Sequence, residues 1–226
     1  ITQVQQLPGI STGVALIIVE QSGENRIMIV PGANGLLTAR DIENLEKLIA
    51  SAGLVLLQFE IPLEAVIRSI QIAHAHGVPV LLNPAPAYPF AAEHLAQVDI
   101  LVLNEVEAQM LTRLPVSDEL SALEAARSLL TGHTRLVVVT LGTKGALALA
   151  PDEAWYLPAF PVRAVDSTAA GDTFIVAFAV MLSEKKSLES CLAFASAAGA
   201  LAVTQVGAQS SIPTRLAMIN RPPETF

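Results

Sequence analysis

Short apolar runs alternate with longer segments of helical periodicity over most of the chain. From Thr38 onward the runs 54–59, 78–82, 100–103 and 136–140 are rich in Val, Ile and Leu. Apolar runs of roughly four to eight residues favour strands that are buried on both faces. Strands that alternate with helices favour parallel pairing through right-handed crossovers. The pattern therefore predicts an α/β fold in which a doubly wound, mostly parallel sheet is flanked by helices.

The segments between these runs carry signals for the start and the end of helices. Thr38 has the side chain of an N-cap residue, and Gly77 follows a segment that begins at Pro62. Two further strands are predicted at 146–150 and 155–157, where they would be antiparallel additions to the sheet. The predicted helices are 38–52, 62–76, 89–97, 105–111, 121–130, 171–183, 188–204 and 214–219.

The N-terminal part of the chain has a different pattern. Residues 11–20 and 25–30 are β-rich, and Gly23 lies in the short connection between them, which predicts a β-hairpin. We divide the chain into this hairpin, residues 1–34, and an α/β domain, residues 35–226. The alternative for the hairpin is a position at the edge of the main sheet.

Composition and charge limit the class of protein. The chain has 226 residues, of which 52% are hydrophobic and 15% charged, which suits a single large α/β core. A net charge of −8 argues against nucleic acid as the main partner. No apolar run reaches the roughly 18 residues that span a bilayer, and Cys191 is the one cysteine. These features predict a cytoplasmic protein without a membrane anchor, a disulfide or a cysteine metal cluster.

One stretch carries the strongest chemical signal. Residues 166–172 read Asp-Ser-Thr-Ala-Ala-Gly-Asp, between the valine-ended segment 162–165 and the apolar run 174–182. The pattern predicts a strand, a turn of small residues and a helix, whose first N–H groups could bind an anion. A carboxylate at Asp172 would repel that anion unless it accepts a proton from an attacking hydroxyl. The alternative is an ordinary helix start with an acidic first turn.

Together with four other stretches, this motif resembles the ribokinase-type, or phosphofructokinase-B-like, carbohydrate kinases. The other stretches are 82–87 (LNPAPA), 104–107 (NEVE), 139–145 (VTLGTKG) and 207–213 (GAQSSIP). The five motifs stand in the family's order and spacing, the resemblance covers nearly the whole chain, and it is strongest to the ribokinase subfamily. The chain begins with Ile1, and its first motif resembles the middle of the family. We therefore expect the family's N-terminal part, with its Gly-Gly sugar-binding motif, to be absent from this sequence.

The resemblance implies ATP-dependent phosphorylation of a sugar hydroxyl, with conversion of D-ribose to ribose 5-phosphate as the first expectation. In that reaction Asp172 is the general base, and the N–H groups of Ala169, Ala170 and Gly171 stabilise the phosphoryl charge. Glu60 would accept hydrogen bonds from the sugar, although an acid ahead of Pro62 is equally typical of a helix start. The hairpin would be part of a β lid over the sugar and would form a homodimer contact.

The resemblance also assigns residues to the nucleotide and to ions. Asn104 and Glu107, spaced i and i+3, would hold Mg²⁺ through water, whereas a solvated acidic helix start is the default for such a pair. Asn83 is a weak candidate for the phosphate side of the nucleotide. The nucleotide-binding set is Asn104, Thr140, Gly142, Gly145, Gly171 and Ser196. The set for a K⁺ activator is Asp166, Thr168, Ala202, Gln205, Gly207 and Ser211.

Two departures from the family pattern leave alternatives open. Many members have Gly where Ala169 stands, and they commonly continue with Asn-Gly where this chain has Ile175-Val176. The second departure puts the substrate in doubt, so that deoxyribose, fructose or a nucleoside remain alternatives. A different class of function is a non-catalytic fragment that binds nucleotide or a partner chain.

Overall fold

The computed structural model describes residues 3–19 and 25–220. An N-terminal hairpin consists of β1 (Val14–Val19) and β2 (Asn25–Val30). Six further strands of the described residues form one sheet: β3 (Val55–Leu57), β4 (Val80–Leu82), β5 (Ile100–Asn104), β6 (Leu136–Thr140), β7 (Ala146–Leu149) and β8 (Ala154–Leu157). The helices are α1 (Ala39–Glu43), α2 (Glu46–Ala50), α3 (Leu63–Ala75), α4 (Ala92–Leu95), α5 (Glu105–Thr112), α6 (Glu119–Leu129), α7 (Ala170–Ser183), α8 (Leu188–Ala202) and α9 (Arg215–Asn220).

The strand order of the main sheet follows the chain from β3 to β8. Strands β3 to β6 are parallel, and β7 and β8 continue the sheet as antiparallel strands. The predicted mostly parallel sheet and its two antiparallel additions are therefore confirmed. Because β3 to β6 run in one direction, their carboxyl ends lie at one edge, where ligands of open α/β sheets bind.

Both faces of the sheet are covered by helices. Leu81, Val102 and Val138 point to one face, where they belong to a buried cluster with Phe178 of α7 and Leu192 of α8. The residues on either side of them in the strands point to the other face and join a cluster with α3, α5 and α6. Side chains alternate between the two faces of a strand, and both faces of this sheet are buried. The strands are therefore continuous apolar runs in the sequence.

The helix predicted over 38–52 is instead two short helices. Thr38 does cap the first one: its Oγ1 accepts from the N–H of Asp41, whose carboxylate accepts from the N–H of Thr38. The backbone leaves α geometry at Leu45, whose N–H donates to Ile42 three residues back and whose φ and ψ are −97° and 4°. Asn44 and Leu45, the cap residues of the two helices, therefore separate α1 from α2.

The strand predicted over 162–165 is also wrong. The N–H groups of Val165 and Asp166 both donate to the carbonyl of Val203, at 2.7 and 3.2 Å. Val203 is the C-terminal cap of α8, so the valine-ended segment is tied to a helix end rather than to the sheet. Since Val165 is 58% exposed, its apolar side chain contributes little burial there.

The hairpin forms a separate two-stranded antiparallel sheet, so the alternative at the edge of the main sheet is wrong for the described residues. In its register Val14 pairs with Val30 and Leu16 pairs with Met28. The connection with Gly23 lies outside the described residues, and a 3₁₀ helix at Gly32–Leu36 spans the predicted domain boundary. Among the helices described, none combines the length and the hydropathy needed to cross a bilayer.

Candidate active site

Polar side chains stand at the carboxyl ends of all four parallel strands. Gln58 follows β3, Asn83 follows β4, Asn104 ends β5 and Thr140 ends β6. The parallel pairing brings these positions to the same edge of the sheet. Sequence motifs that are far apart in the chain are thus gathered at the edge where a ligand is expected.

Asn104 and Glu107 form a capping box at the start of α5. Asn104 Oδ1 accepts from the Glu107 N–H at 2.9 Å, and the Glu107 carboxylate accepts from Asn104 N at 2.9 Å and from Asn104 Nδ2 at 2.8 Å. Glu107 is only 5% exposed, so the alternative of a solvated acidic helix start is wrong. Burial raises the pKa of Glu107, against the effect of the N–H groups that Asn104 and Asn83 donate to it.

Asn83 is the buried link between two strand ends. Its Nδ2 donates to the carbonyl of Val102 at 2.9 Å and to Glu107 Oε2 at 3.0 Å. Its Oδ1 accepts from Gln58 Nε2 at 3.4 Å. From sequence, Asn83 was only a weak candidate for the phosphate side of the nucleotide. In the structure its amide connects the end of β4 to the capping box of α5 and to Gln58.

Gln58 is a site residue that the sequence analysis missed. Its Nε2 donates to Asp172 Oδ1 at 3.0 Å, across 114 residues of chain. The available signal was a polar side chain directly after the apolar residues 54–57 at a strand end. We call the hydrogen-bonded set Asp172, Gln58, Asn83, Glu107 and Asn104 the strand-end network.

The start of α7 has the geometry of an anion-binding turn. Ala169 is the N-cap in the left-handed region, with φ 59° and ψ 12°, and no side chain caps this helix end. The Ala170 N–H makes a long bond of 3.3 Å to Ser167 O. A Cβ added at Gly171 would meet no atom within 4 Å, so space beside this turn is open to a ligand. Asp172 is exposed in the first turn of the same helix.

Glu60 and Asp172 line different cavities. It lines a cavity of about 390 Å³ together with Pro31 and Gly35 at the end of the hairpin and with Tyr88. Asp172 lines a second, largely apolar groove of about 230 Å³ with Thr173 and residues of α7, α8 and α9. Glu60 thus lies beside the segment that follows the hairpin, and the structure does not bring it into one cavity with Asp172.

The two glycines in the loop between β6 and β7, Gly142 and Gly145, have different surroundings. Gly145 has φ 118°, and a Cβ there would lie 2.0 Å from Leu157 O, so this glycine serves the chain's own turn. Gly142 has φ 54° and is exposed. Thr140 Oγ1 donates to Leu103 O at 3.3 Å, and Lys144 Nζ donates to the carbonyl of Ser117. Gly142 thus presents exposed backbone beside the strand ends.

Ser196 lies on α8, whose Gly199 approaches the start of α7. A Cβ at Gly199 would lie in van der Waals contact with Ala170 O, at 3.4 Å, so α8 packs closely against the start of α7 at this point. Ser196 Oγ is a buried hydroxyl for which the described residues supply no hydrogen-bond partner. An unpaired hydroxyl is compatible with a ligand contact, which is the role predicted for Ser196.

Asp166 joins the two loops predicted to hold K⁺. Its Oδ2 accepts from Gly207 N and its Oδ1 from Thr168 N, both at 2.9 Å. These hydrogen bonds, with that from Gly207 the largest cause, lower the pKa of Asp166. The Ala202 carbonyl accepts from Gln205 N at 3.2 Å, and Ser211 Oγ donates to Ala208 O at 2.8 Å. The six residues thus lie in the segment before α7, at the end of α8 and in the segment that follows α8, and the Asp166 carboxylate connects the first of these to the last.

Comparison with known proteins adds independent information. A family profile described as pfkB family carbohydrate kinase matches residues 1–215. A ribokinase of Schizosaccharomyces pombe is 43% identical over 222 residues, which are 96% of this chain and 69% of that protein. A deoxyribokinase of Salmonella typhi is 38% identical over 214 residues, 94% of this chain and 70% of that protein. A solved structure of Arabidopsis thaliana ribokinase complexed with ribose and ATP superposes with a TM-score of 0.86 at 35% identity, covering 94% of this chain and 69% of that one.

Proposed function

The chain belongs to the pfkB family of carbohydrate kinases, and we propose that it transfers the γ-phosphate of ATP to a hydroxyl of D-ribose, giving ribose 5-phosphate. The observation that carries this proposal is the exposed carboxylate of Asp172 beside the open, small-residue turn at the start of α7. Relatives that bear the name ribokinase support ribose as the acceptor.

In the proposed reaction the sugar oxygen forms a bond to the γ-phosphorus while the bond between that phosphorus and the bridging oxygen of ADP breaks. The proton of the sugar hydroxyl passes to Asp172 and later to solvent. The turn at 169–171 and the positive end of the α7 dipole stabilise the negative charge of the transferring group. An acid in this position suits proton transfer because it would repel an anion that merely bound there.

The residues present fit Mg²⁺ through water rather than by direct coordination. Glu107 already accepts three N–H donors, which leaves its Oε1 with capacity for a water. Among the residues described, no group of three or more His, Cys, Asp or Glu side chains is arranged to hold a metal. When bound, Mg²⁺ would neutralise phosphate charge near Asn104 and Glu107.

The two loops joined by Asp166 fit a monovalent cation. The predicted ligands are carboxylate, hydroxyl and carbonyl oxygens, the donor set that a hard cation prefers. The Asp166 carboxylate keeps the loops 166–168 and 207–211 together through its bonds to Thr168 and Gly207. We therefore retain K⁺ as the proposed activator.

The hairpin is the proposed lid and dimer contact. Val14, Leu16, Met28 and Val30 lie on one face of it and are each 50–54% exposed. Paired apolar side chains of this kind mark an interaction surface. Sedimentation of the protein and of a Leu16→Asp variant tests this proposal: a dimer in the first and a monomer in the second support it, and a monomeric parent protein contradicts it. The cytoplasmic location stays a prediction from the sequence.

Deoxyribose is the second candidate acceptor, because a relative that bears the name deoxyribokinase is 38% identical to this chain over 214 residues. Val176, where the family commonly has a small residue, is exposed and lines the groove beside Asp172, which keeps the choice of acceptor open. The test is ADP release with Mg²⁺ and K⁺, compared across ribose, deoxyribose, fructose and a nucleoside. A preference for ribose supports the proposal, preference for another acceptor replaces the substrate, and ATP binding without turnover supports the non-catalytic alternative.

A further inference from the structure

Gln58 contacts the proposed base more directly than any motif residue does. One amide nitrogen, Nε2, lies 3.0 Å from Asp172 Oδ1 and 3.4 Å from Asn83 Oδ1. Both neighbours are oxygen acceptors, and the two hydrogens of the amide can serve both of them. Gln58 extends from the end of β3, a rigid element of the sheet, toward the first turn of α7.

The orientation of this amide follows from its buried neighbours. The carbonyl of Val102 and the Glu107 carboxylate are acceptors, so the Asn83 amide must turn its Nδ2 toward them. Asn83 Oδ1 then faces Gln58 and requires a donor. Gln58 therefore presents its NH₂ group, and not its carbonyl oxygen, to Asp172. The buried acceptors, the Val102 carbonyl and the Glu107 carboxylate, thus determine which group donates in each hydrogen bond from Asn83 to Asp172.

We propose that Gln58 is the positioning residue for the base: its amide binds Asp172 Oδ1, so that Oδ2 is the oxygen presented to the sugar hydroxyl. This inference rests on the proposed function of Asp172. An exposed aspartate in a helix's first turn otherwise samples several rotamers, and only some of them reach an attacking hydroxyl. Because the same amide also binds Asn83, it fixes the position of Asp172 relative to the capping box of Asn104 and Glu107.

The test replaces Gln58 by methionine, which keeps the unbranched shape and removes the donor. In Gln58→Met we expect kcat to fall about 10-fold and the KM for ATP to change less than about two-fold, because orientation is lost while nucleotide contacts remain. The matched control is Gln71→Met, an exposed glutamine on α3. A second variant, Gln58→Glu, replaces the donor by a like charge beside Asp172 and should lose at least as much activity.

A double-mutant cycle separates positioning from a structural role. In an Asp172→Ala background, adding Gln58→Met should change kcat less than about two-fold, because no base remains to be positioned. The side-chain amide signals of Gln58 in ¹⁵N NMR spectra should shift in Asp172→Ala, which reports the contact without any turnover.

Unchanged kcat in Gln58→Met, with an active parent protein, overturns the positioning role alone. A full additional loss in the double variant, or an unshifted amide signal, also overturns it. If the amide contact is present and the parent protein turns over no sugar, the proposed function fails, and the positioning role fails with it.

Discussion

Gln58 and Asp172 are joined by a hydrogen bond of 3.0 Å although 114 residues separate them in the chain. The bond ties the end of β3 to the first turn of α7. Through Asn83 it continues to Glu107 and the start of α5. The proposed base is therefore fixed by the sheet, and not only by the helix that carries it.

Replacement of Asn83 by alanine should destabilise the protein. The change leaves the Val102 carbonyl and Glu107 Oε2 without the donor that they now share in a buried site. We expect a loss of about 2 kcal/mol in the free energy of unfolding, measured with urea. The exposed Asn44→Ala is the matched control and should lose less than about 0.5 kcal/mol.

The effect of Asn83→Ala should also depend on pH. Burial already raises the pKa of Glu107, and the Asn83 amide is one of the groups that counteract this. The folded state of the variant therefore binds a proton on Glu107 more tightly, and its stability falls as pH rises through the raised pKa. The deficit relative to the parent protein should be larger at about pH 8 than at about pH 5. A deficit that grew at the lower pH would contradict this account of Glu107.

The ionised carboxylate of Asp166 stabilises the folded state, whereas burial makes that of Glu107 unfavourable. Hydrogen bonds from Gly207 and Thr168 lower the pKa of Asp166 below its ordinary value of 3.8. The stabilising effect of the ionised Asp166 carboxylate is therefore complete above its ordinary pKa, and it is lost as pH falls through the lowered pKa of the folded state. Asp166→Asn should lower Tm at neutral pH, and the difference from the parent protein should narrow in acid. Thermal melts across this range check the prediction, with Asp152→Asn in an exposed loop as the control. A constant difference would show that the loop bonds do not cause the shift.

Gly145 should not tolerate a side chain. A Cβ at this position would lie 2.0 Å from Leu157 O, and the backbone has φ 118°. Gly145→Ala should cost at least about 2 kcal/mol of unfolding free energy, because β7 and β8 must separate or the turn must distort. Gly53→Ala, where an added Cβ meets nothing within 4 Å, should change it by less than about 0.5 kcal/mol. Equal effects of the two substitutions in urea unfolding would contradict the steric explanation.

Ala169 occupies a conformation that glycine adopts more easily. With φ 59°, Ala169→Gly should raise the free energy of unfolding by about 0.5–1 kcal/mol. Its turnover should stay within about two-fold of the parent protein, because the backbone N–H groups of the turn are retained. At Ala193, in the interior of α8, the same substitution should lower stability instead. Loss of stability in Ala169→Gly would argue against strain at this turn.

Local sequence signals predicted most of the fold because each one follows from short-range chemistry. The Val, Ile and Leu runs identified the parallel strands, since both faces of the sheet are buried. Thr38 indicated a helix start because its hydroxyl can accept from Asp41 within one turn. The failures occurred where a distant partner decides the outcome. Residues 162–165 have strand composition, yet the N–H of Val165 donates to the Val203 carbonyl at the end of α8 and not to a strand.

In the candidate site, too, the features with a local sequence signal were predicted and the contacts with distant partners were not. The motif residues around Asp172 and Asn104 were identified from order and spacing, and the structure gathers them at one edge of the sheet. The role of Gln58 could not be derived from sequence, because a contact between β3 and α7 requires the assembled sheet. The burial of Glu107 was missed for a similar reason: the Asn83 donor that satisfies it comes from another strand.

The most direct test of the central claim is sugar-dependent ADP release by the parent protein and by Asp172→Asn, with Asp152→Asn as control. With ribose, Mg²⁺ and K⁺ present, the account predicts turnover by the parent protein and by the control. In Asp172→Asn it predicts a kcat lower by about 10²- to 10⁴-fold with nucleotide affinity retained, since the general base is removed and the turn at 169–171 is intact. Near-normal turnover in Asp172→Asn would contradict the assignment of Asp172 as the base.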